Sequence, residues 1–153
     1  MVEIKKILVP IDFSDFSIRA LKYGVALARH FGAKIFLLHV ISQELINEIK
    51  TVQSFSGVVD SPEELLERKK RDSIKRIEEI IKGEGNEALF ERGIVEVGIP
   101  SEEIIRVAKE REIDLIVICT HGRSGLSNIL MGSVAEKVVR RSPCPVLSVR
   151  GKE

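Results

Sequence analysis

The residue types able to do chemistry gather in one stretch, THGRSGLSNILMGS, at residues 120–133. It lies between an apolar run, DLIVIC, and a helical pattern, VAEKVVRR. Gly122 can take φ > 0 and admits a ligand close to the backbone. Gly132 and Ser133 open a helix. Its first amides lack intrahelical partners and carry the positive end of the helix dipole, so an anion is favoured there. Ser133 adds a hydroxyl, Ser124 and Ser127 lie in the connecting loop, and His121 and Arg123 are placed to meet a phosphate. The same residues also suit a loop that binds nothing, with Gly132 ending it and Ser133 serving as a plain N-cap. Spacing alone leaves both readings open.

A second polar cluster, PIDFSDFS at residues 10–17, follows the first apolar run. A carboxylate at Asp12 suits a ribose hydroxyl or an amine. Asp12, Ser14 and Asp15 also sit where a helix needs a cap; Ser14 can fill that role, which leaves Asp12 for a ligand. The sequence has no G-x-x-x-x-G-K-[ST], and no G-x-G-x-x-G after a strand, which excludes a P-loop NTPase and a dinucleotide dehydrogenase. His30, His39 and His121 lack metal-ligand spacing, and no nucleophile can be paired with a base, so neither metal ligands nor catalytic residues are assigned. His30 reads as structural. His39 reads as a hydrogen-bonded core histidine or a residue lining the crevice. Cys119 and Cys144 form no CxxC and read as reduced, mostly buried thiols.

These residues need a frame. Apolar, β-branched runs predict strands at 4–11, 34–41, 88–97, 114–119 and in the closing PVLSVR. Helical spacing predicts helices at 15–31, 62–82, 101–111 and 133–141. The first of these helices has apolar positions at Ala20, Leu21, Gly24, Leu27, Ala28 and Phe31, with Gly32 as its stop. The second is opened by Ser61-Pro62 and striped by Leu66, Ile74, Ile77 and Ile81, and the third is opened by Ser101. Residues 42–61 read as a long connection with weak helical character at 43–50. Alternating strands and helices predict an α/β fold: one five-stranded, doubly wound, Rossmann-like parallel sheet, helices on both faces, order 3-2-1-4-5. In that order the crevice lies at the carboxyl ends of strands 1 and 4, between the two polar clusters.

The 153 residues predict a single domain, 1–153, with 44% hydrophobic and 31% charged residues, as in ordered globular chains. A net charge of +1 gives no footprint for nucleic acid or an anionic membrane. No apolar run approaches the ~20 residues of a membrane span. MVEIKKILVPID reads as a strand rather than a secretory leader, so a cytoplasmic location is expected. The abundance of isoleucine, lysine and glutamate leans towards a thermophilic source.

VPIDFSDFSIRAL, then LLHV, then DLIVICTHGRSGLSNILMGSVAEKVVRRSPCPVLSV resembles the universal stress protein family over nearly the whole chain, 42–61 apart. The resemblance implies the same 3-2-1-4-5 fold and ATP binding through a pattern G-x2-G-x9-G-[ST], whose last three positions are Gly122, Gly132 and Ser133. It implies that Gly122, Gly132, Ser133 and Val134 hold the phosphates and neighbouring ribose. Pro10 and Asp12 would border the adenosine, and the backbone of Val40 would meet adenine. Mg2+ would be held mainly by the phosphates. Cys119 stands where the family has its first glycine; a side chain there is expected to crowd the ribose and weaken ATP. The resemblance further implies a homodimer through the last strand and a stress-response regulatory role. Any hydrolysis would be slow, since no base or arginine finger is assigned. Two alternatives are a dimeric signalling or chaperone-like protein without nucleotide, and an adenylating enzyme of related fold. The latter needs a glycine-bearing loop after strand 1, which PIDFSDFS lacks.

Overall fold

Runs such as ILVP, IFLL and LIVIC have no polar alternation, so each needs cover on both faces. The computed structural model describes residues 1–57, 61–121 and 131–151, with the backbone alone at 56 and 92, and it supplies that cover. The elements are β1 (Lys6–Pro10), α1 (Asp15–Phe31), β2 (Lys34–Ser42), α2 (Gln43–Ser56), α3 (Pro62–Gly83), a 3-10 turn at Glu87–Leu89, β3 (Phe90–Gly98), α4 (Pro100–Glu110), β4 (Leu115–Cys119), α5 (Ser133–Arg141) and β5 (Val146–Val149). All strand pairs are parallel, in the order β3-β2-β1-β4-β5. The predicted order is therefore observed.

The two faces of the sheet carry separate cores. Ile7, Val9, Leu37 and Val117 pack with Ala20, Leu21 and Ala28 of α1 and Ile77 of α3. Leu8, Leu38, Ile116 and Ile118 pack with Ile104 and Val107 of α4 and Ala135 and Val138 of α5. The alternation follows from the pleat, which sends successive side chains to opposite faces. At the amino end of the sheet, the Asp114 carboxylate accepts the backbone N–H groups of Lys5 (2.8 Å) and Lys6 (2.9 Å). The start of β1 is thereby tied to the start of β4.

Local chemistry explains most element ends. Ser14 caps α1, its Oγ accepting the Ser17 N–H at 3.2 Å, and Gly32 ends that helix at φ 67°. Ser61 and Glu64 form a reciprocal capping box at α3, with Pro62 in the first turn. Several expectations need correction. Residues 43–56 form α2, a full helix rather than a loose connection, closed by Gly57 at φ 66°. Ile46 anchors it at 3% exposure. Helix α4 begins at Pro100 with Ile99 as N-cap, so Ser101 is a buried helical residue and not the cap. The helix expected at 133–141 is observed as α5; of the two readings of its start, Gly132 is the N-cap and Ser133 the first helical residue. Phe31 and Ile74, assigned to buried stripes, are exposed, with Ile80 packing beside Ile77 and Ile81. Cys144 is only half-buried.

Gly24 is the one helix position where β1 comes too close for a side chain. A Cβ there would lie 2.8 Å from Cγ2 of Val9, a fully buried, β-branched residue with no room to swing. Gly24→Val should destabilise the fold by about 1–3 kcal/mol through overpacking, read as a lower urea midpoint at unchanged slope. An unchanged midpoint would show that β1 and α1 are not held this tightly.

Candidate functional site

Order reverses at β1, which pairs with β2 on one side and β4 on the other. A crevice must open where the crossovers diverge. After β1 the chain turns sharply. The Ile11 N–H donates to the Leu38 carbonyl (2.7 Å), and Asp12 accepts both the Ser14 N–H (2.9 Å) and the Ser14 hydroxyl through Oδ1. The Asp12 N–H donates to Ser17 Oγ at 3.3 Å. Asp12 is thus engaged by Ser14 rather than left over once Ser14 caps the helix, which corrects the expectation. The carboxylate helps build the turn that presents it.

After β4, the Thr120 N–H donates to the Val149 carbonyl (3.0 Å), and the Gly132 N–H donates to the Thr120 carbonyl (2.6 Å). That second bond brings the start of α5 back over the strand end. Thr120 Oγ1 lies 3.0 Å from His121 Nδ1, while His121 Nε2 is buried with no hydrogen-bond partner among the described residues. A buried ring nitrogen of this kind needs a partner.

Between the two exits lies a cavity of about 420 Å³. Pocket volumes of roughly 300–1,000 Å³ suit cofactors. Pro10 and Asp12 line it from β1, Val40 from β2, and Cys119 and His121 from β4. Gly132, Ser133 and Val134 line it from the start of α5. These eight predicted residues are brought together; Gly122 and Arg123 lie outside the described residues. The amides of the first turn of α5 have no intrahelical acceptors, so the cavity holds several donors at a positive helix end.

Sequence reasoning missed the apolar wall: Leu38, Ile118, Ile104 and Ala135, with Pro100 at the head of α4. Leu38 and Ile118 had a signal, since their alternation places them on the same face as Val40. Pro100 and Ile104 had none, because their helix is remote in sequence. Ser42 and Thr120 complete the polar lining. His39 does not line this cavity; its Nδ1 lies 2.9 Å from the Ile11 carbonyl, on the other face of β2. His30 is exposed and packs edge-on against Phe31.

Cys119 is 7% exposed and packs within the α1-side core. Cys119 thus belongs both to that core and to the cavity lining. Burial pushes its pKa up, against backbone hydrogen bonds from His121 and Thr120 that pull it down. Among the described residues no group of histidines, cysteines and carboxylates could hold a metal ion, and no helix is long and apolar enough to cross a membrane.

A family model, described as the universal stress protein family, matches residues 3–150. The universal stress protein MJ0577 of Methanocaldococcus jannaschii is 37% identical over 97% of this chain and 96% of its own length. Its solved structure superposes with a TM-score of 0.82 over 99% of both chains. A universal stress protein solved in complex with cAMP shares the fold at 23% identity, covering 98% and 99% of the two chains, with a TM-score of 0.64. One from Archaeoglobus fulgidus, solved in complex with dAMP, does so at 22% identity and TM-score 0.57, covering 97% and 98%.

The two thiols differ in a way that can be read chemically. Only the thiolate reacts, and burial raises both pKa values; Cys119 is also almost fully shielded, while Cys144 is half-exposed. Ellman's reagent at pH 8 should label Cys144 in a faster phase and Cys119 in a slower one, with Cys144→Ser leaving only the slow phase. Because both folded thiols hold their protons above their unfolded pKa, the unfolded state loses protons first and stability should fall as pH rises past about 9. Replacing both cysteines by alanine should flatten that decline.

Proposed function

The chain belongs to the universal stress protein family, and from that premise we propose that its 420 Å³ cavity binds an adenine nucleotide, ATP above all. The observation that carries this reading is the meeting of the α5 N-terminus with the Asp12 turn across one cavity. Amide donors, a carboxylate and apolar walls line the same cavity. Amides suit phosphate, the carboxylate suits a ribose hydroxyl, and the apolar walls suit a base. The solved relatives holding cAMP and dAMP carry ligands of the same chemistry.

In this reading Ser133 and Val134 give amides to the phosphates, and Gly132 lets the chain approach them. Gly122 and Arg123 belong to the same proposed cradle. Pro10 and Asp12 border the adenosine, and Val40 meets the base through its backbone. The orphaned His121 Nε2 gains a partner from ligand or bound water. Mg2+ would accompany ATP, held by the phosphates. Cys119 is tolerated because its side chain lies in the core. Asp12 is already engaged by Ser14, and no arginine finger or other base is assigned, so any hydrolysis is slow and the role is regulatory, in stress response. We assign this activity to the cytoplasm.

The edge strand completes the proposal. β5 leaves one side unpaired, Leu147 is 37% exposed, and Val139 of the neighbouring helix is 45% exposed. Antiparallel pairing of two such edges would satisfy the open backbone groups and form a homodimer.

Calorimetric titration with ATP tests the site. The native chain should bind, and Cys119→Gly should change affinity by no more than about tenfold, or ~1.4 kcal/mol. Gly132→Asp, which sets a carboxylate beside the phosphates, should abolish binding while the protein stays folded. Absence of binding by both the native chain and Cys119→Gly would overturn the nucleotide reading in favour of a nucleotide-free signalling protein. Light scattering at micromolar concentration should report a dimer and, for Leu147→Glu, a monomer; a monomeric native chain would rule out the proposed pairing.

A further inference from the structure

A second cavity, of about 520 Å³, lies at the carboxyl end of β2 on the α3 side of the sheet. It adjoins the 420 Å³ cavity, sharing Val40 and Ser42 with it, but its rings and charged groups lie on the other side of β2 and line it alone. The Phe13 and His39 rings form part of its wall, with centroids 4.4 Å apart and planes tilted by 41°. Leu45 of α2 adds an apolar side chain.

The backbone at Phe13 is unusual. It holds φ 66°. A bulky residue is strained in that region, and glycine would hold the turn without strain. The ring is therefore kept in place against a local penalty. Such strain is a pointer to function when other observations agree with it.

They do agree. The Arg76 guanidinium lies 3.9 Å from the centre of the Phe13 ring. Lys69 and Lys75 line the same cavity, as do Asp72 and Glu79. None of these five charged groups makes an ion pair with another described residue. Three cations against two carboxylates leave a lining charge of +1, from 3 − 2. A single negative charge is favoured in such a site. A polyphosphate is not, because two carboxylates flank the cations.

We propose that this cavity is a second ligand site, selective for a planar aromatic molecule bearing one carboxylate. Its ring packs edge-to-face against the Phe13–His39 pair, since His39 and Arg76 cover the faces of Phe13, and its carboxylate pairs with the Arg76 guanidinium. Edge-to-face packing is a favoured aromatic arrangement, and a guanidinium is shaped to hold a carboxylate with two parallel N–H donors. Lys69 and Lys75 attract the anion to the mouth, and Asp72 and Glu79 reject anions of higher charge.

The test uses naphthalene-2-carboxylate as the probe, titrated into the full chain and followed by amide NMR. Saturable shifts at Phe13, His39 and Ser73 are expected. Naphthalene-2-methanol, which lacks the charge, and cyclohexanecarboxylate, which lacks the aromatic ring, should each bind at least about tenfold more weakly. Arg76→Glu alters an exposed helix position and should weaken the probe by a similar factor. Phe13→Gly suits the backbone, keeps the fold and should also lose the probe. The proposal is overturned by shifts that never saturate, by shifts confined to Ser133 and Val134 in the other cavity, or by Arg76→Glu binding as well as the native chain.

Discussion

The whole molecule hangs on the hydrogen bonding of β1 to two neighbours whose crossovers lie on opposite faces. Leu8 pairs with Phe36 of β2 on one side and with Ile116 of β4 on the other. Right-handed crossovers then place α1 and α3 on one face and α4 and α5 on the other. Among the described residues no helix bridges the carboxyl ends of β1 and β4, and a hollow lies there. At the opposite end, Asp114 closes the corresponding gap by accepting two β1 amides. The sheet is sealed at one end and open at the other.

The open end is furnished by backbone groups as well as side chains. The Asp12 turn, the Thr120–Gly132 bond and the first turn of α5 set peptide groups around the hollow. Peptide donors on rigid elements are already oriented and lose little freedom when an anion arrives. Cys119, at the end of β4, lines the cavity and also packs in the core on the α1 face, with Val117 and Val149.

The fold was legible because its signals are local and mutually consistent. Unbroken apolar runs marked buried strands, Ser14, Gly32 and Ser61-Pro62 marked helix ends, and the order followed from alternation. The residues of the candidate site could be picked out in so far as they sit on strand exits and a helix start, and eight of them line one cavity. What escaped is instructive. Helix α2 is amphipathic only weakly, carries Val52 and Phe55 outward, and has no side-chain cap at Ser42; Ile46 and the Gly57 stop were its only clear marks. Ser101 resembled a cap because serine before two glutamates usually is one, yet Pro100 preceded it into the helix. The wall formed by Pro100 and Ile104 depends on a crossover from the far side of the sheet, which no local pattern records. Asp12 bonding to Ser14 is a matter of turn geometry that residue types alone leave open.

The clasp between Lys5 and Asp114 joins residues 109 apart in the chain. β1 is made well before its partner β4, with four α-helices and two more strands between them. At about 5–20 residues per second, β1 waits on the order of 5–20 s at the ribosome for its second neighbour. During that interval Ile7, Leu8 and Val9 form an apolar strand with one edge open. Glu3, Lys5 and Lys6 stand directly before them, charges of the kind that guard an exposed strand against pairing with a stranger. The topology that opens a hollow at one end of the sheet thus delays the second pairing of β1, and the charges just ahead of that strand guard its open edge.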